Sequence, residues 1–242
     1  MEKSFSVIAL VLLSGALILI GIVSGQRETK QLPVDATPIR LGVMTDRQRE
    51  HSKHFNGLGG SRIPELLKKQ DEVNLSLDEP LKGGEPGESR TVEQYLAAAT
   101  CEADGVAIGT VLDKNSQLTD DQSFLFSDYT VRVNTTLKSP PCCRHGLADE
   151  IVVSRAGGAV ILDNKLVTAR NAAARDLVVG SEYLLFLRAG QSDDYIALPD
   201  TALVRPDLSI ARPVGESGYA LLPLTLDVTS DLIKTAAANG CH

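Results

Sequence analysis

Strand-like patterns of apolar and polar residues are concentrated between residues 101 and 198. From residue 129 to 138 apolar and polar side chains alternate, whereas Phe124 and Phe126 have the opposite parity. A β-bulge at Ser127-Asp128 would bring all of these apolar side chains to one face. The pattern therefore predicts one long strand that bends at this point.

Further apolar runs predict the remaining strands, and a hairpin is indicated where Asp163-Asn164 separates AVIL from KLVT. These strands cover residues 105–112, 151–154, 159–162, 165–168, 183–187 and 195–198. Gly109 lies inside the first of them and predicts a bend or a close backbone approach. Five or more strands with long, bent members predict a mainly β fold, a small closed barrel, with a sandwich and an open sheet as alternatives.

Short helices flank the predicted barrel. Thr91-Val-Glu-Gln94 matches a capping box, so we expect a helix from there to about Cys101. At the other end, the sequence predicts an edge strand over residues 221–228 and a helix from Ser230 to Gly240. The folded domain is therefore expected to cover residues 91–242.

The N-terminal part of the chain has a different character. Residues 5–25 carry no charge, and a helix of that length crosses a bilayer, so residues 1–25 are predicted to be a transmembrane or signal helix. Residues 26–90 are polar and rich in glycine, which predicts a flexible stalk with a short helix at residues 64–72. We expect the domain to lie outside the cytoplasm, anchored to the membrane, or secreted if residues 1–25 are cleaved.

The composition of the chain limits the classes of partner that it is expected to bind. The net charge of the 242-residue chain is -7, and it has no Lys/Arg-rich run, so nucleic acid is not expected as a partner. Aromatic residues make up 4% of the chain and tryptophan is missing, which disfavours stacking platforms for bases or sugars. The expected partners are the membrane, through the N-terminal helix, and a protein or small ligand outside the cytoplasm.

Four cysteines fit two disulfides in an oxidising compartment. Pairing of Cys101 with Cys241 would join the first and last helices of the domain and stabilise it by roughly 4–5 kcal/mol. Cys142 and Cys143 are adjacent and bridge each other only with strain. With His145 they offer soft ligands for copper or zinc, although adjacent cysteines are poor chelates, so structural or incidental thiols are the preferred interpretation.

Other polar groups are interpreted as structural. His51 and His54 are one helical turn apart with no third ligand nearby, which favours a solvated pair over a metal site. The acid pairs at residues 120–121 and 193–194 fall in predicted turns, where solvated Asp is ordinary. Arg155 to Gly158 is more typical of a bulge than of an anion site. No catalytic motif and no cofactor motif occurs, so no catalytic or cofactor-binding residue is assigned.

Several of these features together resemble a known module. A helix ends in Cys101, C-x-A-D and an apolar strand with G-x-V follow, then Y-x-V-x-V ending in Leu-Lys, and then G-x-x-Y-L-L-F. Over about residues 91–198 this is similar to the netrin-like module of the tissue inhibitors of metalloproteinases, which implies a five-stranded OB-like barrel. The chain also resembles uncharacterised exported bacterial proteins with A-D-x-V-x-x-G-x-V and Y-L-L-F-L signatures.

The resemblance does not extend to the inhibitory mechanism. Those inhibitors act through an N-terminal cysteine, and here 100 residues precede Cys101. The leading hypothesis is therefore a non-catalytic, extracytoplasmic binding or interaction module. Two alternatives stay open: a thiol- or metal-handling surface protein using Cys142, Cys143 and His145, and a hydrolase with dispersed catalytic residues.

Overall fold

The computed structural model of the chain describes residues 36–77, 91–141, 146–171, 176–190, 194–198, 201–214 and 218–240. Within these ranges the chain forms twelve strands and four helices. The strands are β1 (Thr37–Pro38), β2 (Glu72–Leu77), β3 (Gly105–Leu118), β4 (Leu125–Lys138), β5 (Glu150–Ala156), β6 (Gly158–Leu162), β7 (Lys165–Asn171), β8 (Glu182–Ala189), β9 (Asp194–Ala197), β10 (Ala202–Val204), β11 (Ser209–Val214) and β12 (Gly218–Thr225). The helices are α1 (Asp46–Ser52), α2 (Ile63–Leu67), α3 (Val92–Glu102) and α4 (Leu226–Ala238).

Five of these strands close into a barrel. Strands β3, β4 and β5 form an antiparallel meander, and β8 pairs antiparallel with the free edge of β3. Strand β9 pairs antiparallel with β8 and parallel with β5, which completes the circle. The prediction of a small OB-like closed barrel is thereby confirmed, and the sandwich and open-sheet alternatives are wrong.

The barrel interior is filled with apolar side chains from alternate strand positions. Tyr129, Val131, Leu185 and Leu187 all belong to this cluster and are fully buried. Each such aliphatic side chain contributes about 1.5–3 kcal/mol by leaving water. At Gly109 the strands approach so closely that a Cβ would lie 2.6 Å from a methyl group of Val131, which confirms the predicted close approach.

Helices α3 and α4 pack against the outside of the barrel. The outward residues of β8, Leu184 and Phe186, form a second cluster with side chains of both helices. The capping box predicted at the start of α3 is confirmed, because the Gln94 amide N–H donates to the Thr91 hydroxyl at 3.3 Å and the Gln94 side chain accepts from the Thr91 N–H at 3.0 Å. This cluster therefore fixes α3 and α4 to the same side of the barrel.

The C-terminal elements begin earlier than predicted. The edge strand is Gly218–Thr225, and α4 begins at Leu226 instead of Ser230, which lies buried inside the helix. Leu226 and Ile233 both pack in the cluster shared with α3, so the apolar face of the helix extends one turn upstream of the predicted start.

Residues 36–77 are part of the folded structure, which corrects the prediction of a stalk for this part of residues 26–90. Strand β1 pairs parallel with β6, and β2 pairs parallel with β7, so the β6–β7 hairpin gains a strand on each edge. The pairing joins Asn74 to Thr168, 94 residues further along the chain. The sequence predicted a stalk because this segment is polar, and the strands with which it pairs are too remote in sequence for a local pattern to indicate them.

The β6–β7 hairpin itself agrees with its prediction. Asp163 and Asn164 have φ angles of 50° and 62°, as a tight turn between twisted strands requires. The chain enters this hairpin from the barrel through Gly157 and Gly158, whose φ angles are 113° and 135°. A Cβ on Gly158 would lie 2.4 Å from the Ser127 hydroxyl oxygen, so this crossing requires glycine.

No bulge occurs at Ser127-Asp128, in contrast to the prediction. Strand β4 pairs with β3 and β5 in continuous register through both residues. Phe126 points out of the barrel and stacks on Phe55, with ring centroids 5.6 Å apart. The phase of the pattern changes because β4 is buried on both faces near Phe126, with the N-terminal segment covering its outer side.

Helix α2 also contributes to this outer cluster. It covers Ile63–Leu67 and is followed by β2 from Glu72, whereas the sequence predicted a helix over residues 64–72. Residues 1–25, predicted to be a transmembrane or signal helix, lie outside the described residues. Within the ranges that the structure describes, no helix is long and apolar enough to cross a membrane.

Candidate functional site

The candidate site lies where helix α1 meets the outer face of the barrel. Helix α1 has the sequence DRQREHS, which contains no apolar residue. Its start is fixed by a capping box in which the Gln48 N–H donates to the Thr45 hydroxyl and the Gln48 side chain accepts from the Thr45 N–H. Two residues of the helix are buried, His51 and Ser52, and both are polar.

His51 is the centre of the site, with 4% of its surface exposed. Its Nδ1 lies 2.9 Å and 3.0 Å from the two carboxylate oxygens of Asp128 on β4. Its Nε2 lies 2.7 Å from Oδ2 of Asp194 on β9. Ionised carboxylates only accept hydrogen bonds, so both contacts are satisfied together when both ring nitrogens carry a proton.

Two further side chains complete the network. The guanidinium of Arg47, one turn before His51, donates through Nε at 2.9 Å and through Nη2 to Oδ1 of Asp194. The buried hydroxyl of Ser154 on β5 donates to Oδ1 of Asp128. Three barrel strands and α1 thus meet in a single polar network.

The charges of the network shift the proton affinities of its members. Burial lowers the pKa of His51, but the hydrogen bonds to Asp128 and Asp194 and their charges outweigh this effect, and the pKa is raised above its ordinary value. Burial raises the pKa of Asp194, yet the bonds from Arg47 and His51 bring it below its ordinary value. Both shifts favour an imidazolium between two carboxylates.

A second set of polar contacts fixes the segment after α1. The Ser52 hydroxyl accepts from the Asp120 N–H at 2.6 Å, and the Asp121 carboxylate accepts from the Gly57 N–H at 2.6 Å. Asp121 also accepts from the Thr119 hydroxyl at 2.6 Å. Burial raises the pKa of Asp121, but these hydrogen bonds lower it overall. The loop between β3 and β4 therefore holds the N-terminal segment by its backbone and side chains.

The arrangement determines which chemistry is available. Ser154 donates to Asp128 and not to His51, so the network lacks the hydroxyl-to-imidazole contact of a nucleophilic serine. Both nitrogens of His51 face carboxylates, so neither is directed at a substrate or a metal ion. Among the described residues, no group of three or more His, Cys, Asp or Glu side chains is placed to hold a metal. What the network can do is bind and release a proton.

Three sequence interpretations are corrected here. His51 does not form a solvated pair with His54, because His51 is buried and ion-paired while His54 is exposed. Asp194 and Asp121 are not simple solvated turn residues, since each accepts several hydrogen bonds. The sequence contained one usable signal, the Thr45 to Gln48 capping box, but nothing in the local pattern connects α1 to Asp128 or Asp194.

Of the residues in the predicted disulfide and metal sites, the structure describes Cys101. The metal candidates Cys142, Cys143 and His145 lie outside the described residues, as does Cys241. Cys101 lies in the last turn of α3, and α3 is in contact with α4, whose last residue is three positions before Cys241. The pairing of Cys101 with Cys241 and the metal hypothesis stay predictions.

The chain kinks between Arg155 and Gly158, where β5 ends and β6 begins. The Gly157 N–H donates to the Leu125 carbonyl at 2.8 Å, so this amide is engaged within the fold. Arg155 is buried with 3% of its surface exposed. The sequence favoured a bulge over an anion site here, and the structure has a kink at Gly157 between β5 and β6.

Fold and site together define a class: a closed five-stranded OB-like barrel whose outer face carries a helix held by charge. No family model matches the chain, and no curated protein matches it significantly. The resemblance to the netrin-like module therefore stays a prediction.

Proposed function

We propose that the chain is a non-catalytic binding or interaction module that works outside the cytoplasm, anchored to the membrane or secreted. The observation that carries this proposal is that the chemically active side chains of the site form hydrogen bonds with one another. His51 is occupied at both nitrogens, and Ser154 is directed to Asp128. A group already engaged in this way has neither a free base nor an activated nucleophile to offer a substrate.

The filled barrel supports the same proposal. Tyr129, Leu185 and their neighbours occupy the interior with buried apolar side chains. A barrel of this size holds side chains or one small ligand, and here the side chains fill it. A partner would accordingly contact the outer surface or the loops of the domain.

The proposed extracytoplasmic location of the domain is supported by the sequence. Residues 5–25 form an uncharged stretch of the length that an export or anchor segment requires. A disulfide between Cys101 and Cys241 would fit an oxidising compartment and the contact between α3 and α4. We place the domain on the extracytoplasmic side.

Two measurements test this function. A photo-crosslinking residue is placed at Val43, Val178 or Val228, which lie before α1, before β8 and in α4 and are 66%, 59% and 47% exposed. On intact cells, a binding module gives one discrete crosslinked partner from one position and none from the others. Equal or absent crosslinking at all three positions contradicts the proposal.

The second measurement addresses the hydrolase alternative. The purified chain is assayed against ester, phosphoester and peptide substrates beside its Ser154→Ala variant. The binding proposal expects no turnover above the uncatalysed rate in either protein. Turnover that is lost in Ser154→Ala would replace it with the dispersed hydrolase, and metal-dependent turnover that is lost in a Cys142→Ser, Cys143→Ser variant would favour the metal-handling alternative.

A further inference from the structure

Helix α1 is held on the barrel by polar contacts, and those to the strands β4 and β9 are ionic. It has no apolar residue, and its contacts to β4 and β9 are made by Arg47 and His51. The chain after it is held differently, because Phe55 and Ile63 are buried in the apolar cluster on the outer face of the barrel. The attachment of α1 therefore depends on the protonation of its ionisable groups, whereas the attachment of an apolar-packed element does not.

We infer that α1 is a proton-dependent cover: the imidazolium of His51 fastens it across β4, β5 and β9, and loss of that proton releases it. A neutral imidazole has one N–H, so it can donate to Asp128 or to Asp194 but not to both. The other ring nitrogen would then present a lone pair to a carboxylate in a buried position. Such a contact is unfavourable, and its relief requires α1 to move away.

The surrounding charges do not compensate for the lost proton. The charged and titratable groups that the structure describes around His51 come from β4, β9, α1 and the turn after α1: Asp128, Asp194, Tyr195, Arg47, Glu50, Lys53 and His54. Arg47 serves Asp194, and Lys53 pairs with Glu50 at 2.6 Å. Ser154 donates to Asp128 but carries no charge. Among the described residues, Asp128 has His51 as its cationic partner, so deprotonation leaves this carboxylate without a counter-charge.

The extent of the opening is bounded by the fold. Ser52 accepts from Asp120, and Phe55 stacks on Phe126, so the chain is anchored at the last residue of α1 and just after it. Release would therefore be local to residues 45–51 and would uncover Asp128, Ser154 and Asp194. An open cleft lined by His51, Ser154 and Asp194 among others gives solvent protons access to the site.

The direction of the pH dependence follows from the linkage rule. The pKa of His51 is raised in the closed form, so α1 is fully fastened below about pH 6.5, and the fastening is lost as the pH rises through the closed-form pKa. Within that window the opening constant rises by up to about tenfold per pH unit. The device does not depend on the proposed binding function, and its test needs no partner.

The test is hydrogen exchange of the purified full-length chain at pH 5.5 and pH 8.5, with rates divided by the intrinsic rate at each pH. We expect the protection of a peptide covering residues 46–54 to fall at the higher pH, by up to about tenfold for each pH unit between the open-form and closed-form pKa of His51, while a peptide covering β3 keeps its protection. In His51→Gln the α1 peptide should be weakly protected and equally so at both values. His54→Gln is the matched control, because His54 is exposed in the turn that follows α1 and should leave the wild-type response intact.

The wild-type comparison is decisive even where His51→Gln does not fold. Equal protection of α1 at both pH values overturns the proposal, as does a fall in protection that spreads equally to β3. Retention of the pH response in His51→Gln, or its loss in His54→Gln, overturns it as well. A fall confined to α1, together with an NMR titration of the His51 ring in the same pH range, supports it.

Discussion

The substitution Phe55→Ala tests whether the N-terminal segment is an integral part of the fold. Phe55 is 5% exposed and belongs to the apolar cluster that joins residues 55–73 to the outer face of β4 and to the β6–β7 hairpin. Truncating a buried phenylalanine costs about 3–5 kcal/mol, as lost transfer free energy plus the cavity that remains. We expect Phe55→Ala to lower the free energy of unfolding by this amount. Urea unfolding followed by circular dichroism measures it, which suits a chain without tryptophan.

A double-mutant cycle with Phe126→Ala separates the ring contact from general packing. The two rings are stacked with an interplanar angle of 16°, and such pairs add about 0.5–1.5 kcal/mol beyond area burial. The control is Leu41→Ala in the same N-terminal segment, where the side chain is 43% exposed and a change within about 0.5 kcal/mol is expected. If Phe55→Ala costs no more than Leu41→Ala, residues 36–77 behave as the stalk that the sequence predicted, and the packing described above is refuted.

Three further predictions address other parts of the fold. Gly158→Ala should destabilise by about 1–3 kcal/mol, because a side chain is strained at this positive φ and would clash, whereas Gly60→Ala has open space and should cost little; urea midpoints compare the two. Cys101→Ser and Cys241→Ser should each slow migration on a non-reducing gel and lower the thermal midpoint equally, with no added loss in the double variant; additive losses would contradict the pairing. Asp194→Asn should reduce acid destabilisation, since the pKa of Asp194 is lowered in the fold and its contribution is lost as the pH falls through that value below about pH 4; an unchanged acid limb of the stability curve would contradict this.

The barrel was the predictable part of this fold. Its strands alternate or run apolar over many residues, and the hairpin at Asp163-Asn164 carries a turn signal that fixes its geometry. The capping box at Thr91 is likewise a local signal and was predicted correctly. Each of these features depends on residues within a few positions of one another, which is why a single sequence contains them.

The candidate site was not predictable by the same means. His51 meets Asp128 and Asp194 across separations of 77 and 143 residues. No local pattern encodes such a contact, because a polar helix is typical of a solvated surface and an aspartate in a turn is ordinary. The bulge predicted at Ser127-Asp128 failed for the same reason: a strand covered from outside by a remote segment looks like a strand that changes phase.

The placement of charge explains why residues 36–77 were misjudged and what they do. This segment stays ordered in three ways. Apolar side chains such as Phe55 pack on the outer face of the barrel, β1 and β2 pair with the β6–β7 hairpin, and Arg47 and His51 form ion pairs with Asp194 and Asp128. The first two ways are insensitive to pH, while the third is not. In the sequence, the polar residues of α1 are typical of a stalk. In the fold, they make the attachment of this helix to the barrel sensitive to protonation.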